Sequence, residues 1–136
     1  MDAERARTFL LSLPDVVETE QWGGLVFWVG DKAVGGKMFA RLALEQEGRV
    51  ASFAAGAEHY NELLEQEGIF PAPYMARIYW VAVERWSVLR DGEWREEFTA
   101  AYERTRAKIP PRMQRFFALS KAEQKKAVAV AQQKAK

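Results

Sequence analysis

Few residues of this 136-residue chain have the type and spacing that reaction chemistry requires. His59 is the single histidine and cysteine is absent, which removes disulfides, thiolate nucleophiles and thiolate metal sites. A Ser-His-acid triad would have to use His59, and no serine stands in a nucleophile context. Glu58, Glu62 and Glu65 recur beside His59 at helical spacing. Such a pattern suits either a metal site or a solvated helix face, and the apolar stripe Ala57, Tyr60, Leu63, Leu64 on the same segment favours the solvated face, with His59 as an exposed helix residue. Glu18 and Glu20 alternate on a short strand, but nothing sets a second carboxyl across a cleft from them. Gly23-Gly24 and Gly35-Gly36 match no phosphate loop. The expectation is a non-enzyme with no catalytic residue, no metal and no cofactor.

Binding chemistry is better represented. Lys37, Arg41 and Arg49 fall on segments that read as hairpin strands, and Arg77 opens a β-branched and aromatic run, residues 77–84, that carries Trp80. Cations neutralise phosphates, and an exposed aromatic can stack on a base or wedge a groove. The plainer alternative is that Arg77 pairs with a glutamate such as Glu84 and that Trp80 is core, where large aromatics mostly reside. The net charge of +1 predicts no partner, but its distribution is uneven. Residues 112–136 carry seven cations (Arg112, Arg115, Lys121, Lys125, Lys126, Lys134, Lys136) against Glu123 alone, while residues 1–111 hold 13 cations and 18 anions. A mildly acidic body thus ends in a basic tail. Lys37, Arg41, Arg77, Trp80, Arg112, Arg115, Lys121, Lys125 and Lys126 form the candidate nucleic-acid-binding set.

These residues need elements to hold them. Residues 2–13 read as a helix capped by Asp2 and stopped by Pro14. A strand-rich stretch follows: residues 16–22, the apolar run 25–29 after a Gly-Gly turn, and the pair 37–44 and 49–54 around a turn at 45–48. Along 37–44, strict alternation puts Met38, Ala40, Leu42 and Leu44 on one side and Lys37, Phe39, Arg41 and Ala43 on the other. Residues 57–67 read as a second helix with Gly68 as its C-terminal glycine. Pro71 and Pro73 make the next segment stiff and extended. Asp91 is placed to cap a third helix with the stripe Trp94, Phe98, Ala101, Tyr102, Ile109, closed by Pro110-Pro111. Ser120 and Glu123 match a capping box for a last, polar helix. This order predicts an α+β, two-layer single domain over residues 1–111, with a mainly antiparallel sheet of about five strands and helices packed on it. Residues 112–136 are expected to be a dispensable helical extension. The runs around Trp28 and Trp80 are apolar on both sides, so both indoles need cover from the tail, a partner subunit or a ligand.

Several motifs fall in a familiar order. Ser12-Leu13-Pro14, Trp22-Gly23, Val26-Phe27 with Val29, and Gly36-Lys37-Met38-Phe39-Ala40 resemble the front half of the MmcQ/YjbR family. Gly68-Ile69, Pro71-Ala72-Pro73-Tyr74, Ala76-Arg77 and Trp80-Val81 resemble its back half, and Lys108-Ile109-Pro110 its ending. The resemblance spans roughly residues 5–112. It implies a small α+β domain with a secretion-chaperone-like or double-wing architecture and a DNA-binding label, and it brings no catalytic residues. The stretch SFAAGAEHY after residue 51 departs from the Lys-Cys-Asp-Pro-like segment of many members, and residues 113–136 extend past the usual end.

The expectation is therefore a cytoplasmic, non-catalytic binder of DNA, with no apolar run of bilayer length, about 20 residues. Its rival is a protein-interaction module, such as a homodimer docked through an apolar sheet face. A small-ligand pocket near Tyr74, Arg77 and Trp80 is a third reading.

Overall fold

The computed structural model describes residues 1–134. Helix α1 (Ala3–Ser12) starts where the Asp2 side chain accepts from the Arg5 backbone N–H at 2.8 Å. Four strands follow: β1 (Val16–Gln21), β2 (Gly24–Val29), β3 (Lys37–Ala43) and β4 (Ala51–Ala54). Next come α2 (Ala57–Leu64), β5 (Ile69–Pro71), β6 (Trp80–Val83), α3 (Asp91–Ala107), α4 (Pro111–Phe117) and α5 (Lys121–Lys134). Single 3-10 turns lie at Lys32–Val34, Ala76–Ile78 and Trp86–Val88.

The strands form one fully antiparallel six-stranded sheet in the order β1-β2-β3-β4-β6-β5. The sixth strand comes from the proline segment. Its extended backbone pairs with β6, and Pro71 is tolerated because β5 is an edge. Helices α1 and α3 cover one face. Leu10, Trp94, Phe98, Ala101 and Tyr102 meet Phe27, Val29, Phe39, Leu42, Phe53, Val81 and Val83 from the strands in one buried core. Each large side chain buried there contributes about 1.5–3 kcal/mol.

Strand β3 does not alternate as its sequence suggests. Phe27 pairs with Ala40 while Trp28 pairs with Met38, so Phe39 is the extra residue of a β-bulge. The bulge turns Phe39 into the helix-side core, edge-on to Tyr102 at 5.6 Å between ring centres. Arg41 stays on the opposite face with Met38. A lone arginine in an apolar strand therefore ends on the side away from the helices.

The two tryptophans of the apolar strands find cover inside the chain. The Trp28 indole donates to the Thr19 hydroxyl at 2.8 Å and lies under the Lys32 ammonium. Trp80 is only 4% exposed and packs in a small second cluster with Ala72, Ala82, Met38, Phe70 and Met75 on the helix-free face.

Several local expectations are corrected. Arg77 does not open β6; it lies in the turn Ala76–Ile78, and the strand begins at Trp80 after Tyr79 adopts a left-handed backbone. Gly68 does not close α2, which ends at Leu64 with Glu65 as its cap; it meets the Val88 side chain instead. Asp91 is the first residue of α3 rather than its cap. Its carboxylate binds the Met1 amine and Arg5, which hold it below the usual aspartate range, the amine hydrogen bond foremost. Glu93 accepts from the Arg90 N–H in its place. Ile109 is buried but lies beyond the end of α3.

The double proline is not the end of the packed body. Pro111 starts α4, whose Met113 is 1% exposed in the main core. Gly30, at φ +80°, is the floor on which α4 sits: a Cβ there would lie 2.6 Å from Met113 Cε and 3.1 Å from Phe117 Cζ. The Ser120–Glu123 capping box forms as expected, with Glu123 N–H donating to Ser120 Oγ at 3.2 Å. The Gln124 amide donates to the carbonyls of Phe116, Phe117 and Leu119, binding α5 to the open end of α4. Helix α5 then lies against Lys32–Val34. Lys136 is outside the described residues.

Candidate functional site

The sequence-nominated residues separate into two groups. One gathers around the turn Gly30–Gly36. Gly30 N–H donates to the Asp15 carbonyl at 2.8 Å and Gly36 N–H to the Asp31 carbonyl at 2.9 Å, so the turn is closed at both ends. Lys32 stands in this turn over the Trp28 ring, 5.8 Å from its centre, and Lys37 begins β3 directly after it. The Arg112 guanidinium lies against Gly35. Lys121 and Lys125, from the first half of α5, line a cleft with Asp15, Gly30, Asp31 and Phe117. The acids in this region are already engaged: Asp15 pairs with Arg106 at 3.1 Å, and Asp31 accepts from the Ala33 N–H at 2.8 Å. Among the described residues, Lys32, Lys37, Arg112, Arg115, Lys121, Lys125 and Lys126 form no ion pair. Tertiary folding thus brings Arg112, Lys121 and Lys125 of the extension to the turn that carries Lys32 and leads into Lys37.

The other group does not join them. Arg41 is 8% exposed and its charge is matched locally. Its guanidinium bonds both carboxylate oxygens of Glu47 and donates to the Trp22 carbonyl at 2.7 Å. Gly24 leaves the room: a Cβ there would stand 2.7 Å from the guanidinium carbon. Glu47 also faces Arg49, with Nε 3.2 Å from Oε1, yet Arg49 Nε is buried without a hydrogen bond. The hydrogen bond from Arg41 holds the Glu47 carboxyl below the usual glutamate range, with the two arginine charges adding to it against burial. Trp80 is 4% exposed and lies in the lining of a cavity rather than on an open surface where a duplex could reach it. Arg77 is exposed on its turn, and Glu84 pairs with the neighbouring Arg85 instead.

Arg41 and Trp80 do share a site, of a kind the reading of residues placed only loosely. A cavity of about 430 Å³ opens on the helix-free face of the sheet. Trp22, Val26, Met38, Arg41, Arg49, Ser52 and Trp80 line it from the strands and their turns, and Ala72, Pro73, Tyr74 and Met75 from the β5–β6 connection. Trp22 is 66% exposed and Tyr74 fully so, and both have positive φ, +52° and +65°. Bulky aromatics rarely adopt that conformation, which costs on the order of 1–3 kcal/mol at each residue and persists where the surroundings dictate it. Arg77 is not among the lining residues. Glu47, Ser52 and Trp22 were not nominated from sequence, and Arg49 was named among the strand cations without entering the candidate set. The available signal was Arg41 itself, since a cation in an apolar strand needs an acid close by.

His59 is half-buried rather than exposed, with Nε2 at 3.0 Å from Glu97 and Nδ1 at 3.4 Å from Glu62. Among the described residues no group of three His, Asp or Glu is placed to hold a metal ion.

A single antiparallel sheet with helices on one face, a bulged third strand and a proline-stiffened edge hairpin define a two-layer α+β domain. The YjbR family model matches residues 11–104, and the chain belongs to that family. The fold is similar to the crystal structure of the Deinococcus radiodurans protein DR2400, a DUF419 domain, with a TM-score of 0.70 and 23% identity over 92% of this chain and 86% of that one. At that identity the likeness establishes the fold. No curated protein matches the chain.

Proposed function

We propose that this YjbR-family protein is a non-catalytic, cytoplasmic DNA-binding domain that meets the duplex backbone with the cations around Gly30–Gly36. The observation that supports it best is the return of α5 onto the turn Lys32–Val34, which sets Lys121 and Lys125 beside a turn already flanked by Lys32, Lys37 and Arg112. These cations have no acidic partner within the described chain, whereas Arg41 has one. Lysine and arginine at one end of a domain release counterions from phosphates without reading bases, so recognition rests on charge and shape. Trp80, which lines a separate cavity, takes no part in the DNA contact, and the contacting set becomes Lys32, Lys37, Arg112, Arg115, Lys121, Lys125 and Lys126.

Fluorescence anisotropy of a labelled duplex, titrated at several salt concentrations, tests this. About five phosphate contacts give a slope of log affinity against log salt near −4 to −5. The double variant Lys121→Glu/Lys125→Glu is expected to lose most of the affinity and flatten the slope, while Arg77→Glu leaves both unchanged. Absence of binding at low salt ends the DNA reading.

A further inference from the structure

The cavity on the helix-free face has a chemistry the DNA reading does not use. Its floor is strand: Val26 from β2, Met38 from β3, Ser52 from β4 and the indole of Trp80 from β6. Its volume, about 430 Å³, falls within the range of small-molecule pockets, about 300–1,000 Å³. The walls are aromatic or thioether: Trp22, Tyr74, Trp80, Met38 and Met75. Such surfaces favour flat, polarisable rings.

The polar groups are few and all at one side. Arg41 and Arg49 share the single carboxylate of Glu47, so the side carries one uncompensated positive charge. Ser52 is 4% exposed and lines the cavity. Arg49 Nε faces Glu47 Oε1 at 3.2 Å but is buried without a hydrogen bond. Buried donors without partners are uncommon in folded proteins, and each such group calls for an explanation. A ligand anion bonded by Arg49 supplies that explanation, and the Ser52 hydroxyl, which also lines the cavity, can donate to the same group. Arg41 is held too firmly to move: Gly24, Glu47 and the Trp22 carbonyl fix it, and through that carbonyl it also fixes the rim aromatic Trp22.

We infer that this cavity is a binding site for a small aromatic monoanion, a planar ring system bearing one carboxylate or sulfonate. Its ring lies between Trp22, Tyr74 and Trp80, and its anionic group reaches Arg49 and Ser52. A dianion exceeds the single free positive charge, and a neutral ring leaves Arg49 Nε without a hydrogen bond. The pocket is independent of the cations at Gly30–Gly36, so its occupancy does not depend on the DNA reading.

The probe is 1-naphthoate, compared with its neutral counterpart 1-naphthalenemethanol, followed by calorimetry and by the five tryptophan indole N–H resonances of the full chain. Naphthoate is expected to bind saturably and at least tenfold more tightly than the alcohol. It should shift the Trp22 and Trp80 indole signals while leaving Trp86 and Trp94, on the far side of the sheet, unmoved. Ser52→Leu, which fills the floor with a side chain strands accept, is expected to abolish binding without changing DNA affinity. Arg49→Gln should lower naphthoate affinity at least tenfold and leave that of the alcohol unchanged. No saturable binding at millimolar naphthoate, equal affinity for acid and alcohol, or shifts confined to other tryptophans would overturn the inference. The indole readout uses the unmodified protein, so a poorly folding variant does not blunt the test.

Discussion

Arg41 shows how much one side chain can commit a fold. It sits in an apolar strand, and its guanidinium is buried beside Glu47. Removing one partner of a largely buried pair leaves the other uncompensated, which costs about 3–5 kcal/mol when burial is complete and less here, where Glu47 is partly exposed. Glu47→Gln is therefore expected to destabilise the protein by roughly 2 kcal/mol at neutral pH, as read by urea denaturation. The pH dependence follows from the direction of the Glu47 shift. Its carboxyl titrates lower in the folded than in the unfolded chain, so the unfolded chain takes up the proton first as pH falls. The pair's contribution is complete above the ordinary glutamate value of 4.5 and is lost as pH drops from there through the depressed folded value. Denaturation of wild type and Glu47→Gln between neutral and strongly acidic pH should show curves that converge on acidification; parallel curves would remove the pair as the cause.

Among the elements, α4 was the least legible. Pro110-Pro111 ends one helix, yet proline is also favoured at the first position of the next, because its missing N–H is one that a helix start leaves unbonded anyway. The sequence shows the break and not the restart. Once α4 forms, Met113 fills the space over Gly30. Met113→Ala is expected to cost about 2–5 kcal/mol, a core-cavity value, whereas Lys126→Ala on exposed α5 should change stability by less than about 0.5 kcal/mol. Equal, small effects of the two would mean that α4 does not seal the core. Strand β3 carries the matching lesson. Its pattern was correct at each end, and one inserted residue, Phe39, moved Arg41 to the face opposite Phe39. Alternation in sequence cannot register a bulge, because the partner strand decides where the extra residue goes. By contrast α1, the Ser120–Glu123 box and the buried stripe of α3 were legible, since caps and helical periodicity are local.

At the scale of the whole molecule, the acidic body and the basic extension are one packed unit. Cutting the chain after residue 111 removes Met113 and Phe117 from the core edge together with the cations of α4 and α5. The truncated protein is expected to lose at least the about 2–5 kcal/mol carried by Met113, seen as a lowered Tm, along with DNA affinity. A truncated chain as stable as the full one would restore residues 112–136 to the status of a loose tail. The amino-acid sequence alone determined the class of this protein. Strand and helix periodicities, prolines and caps act over a few residues, and together they specify an antiparallel sheet with helices on it and carry the YjbR motifs. Only the tertiary structure decided which cations stand together and which are silenced, because a charge's partner is chosen by distance in space. Glu47 lies six residues from Arg41 and neutralises it, while Lys125, more than ninety residues from Lys32, arrives at the same turn.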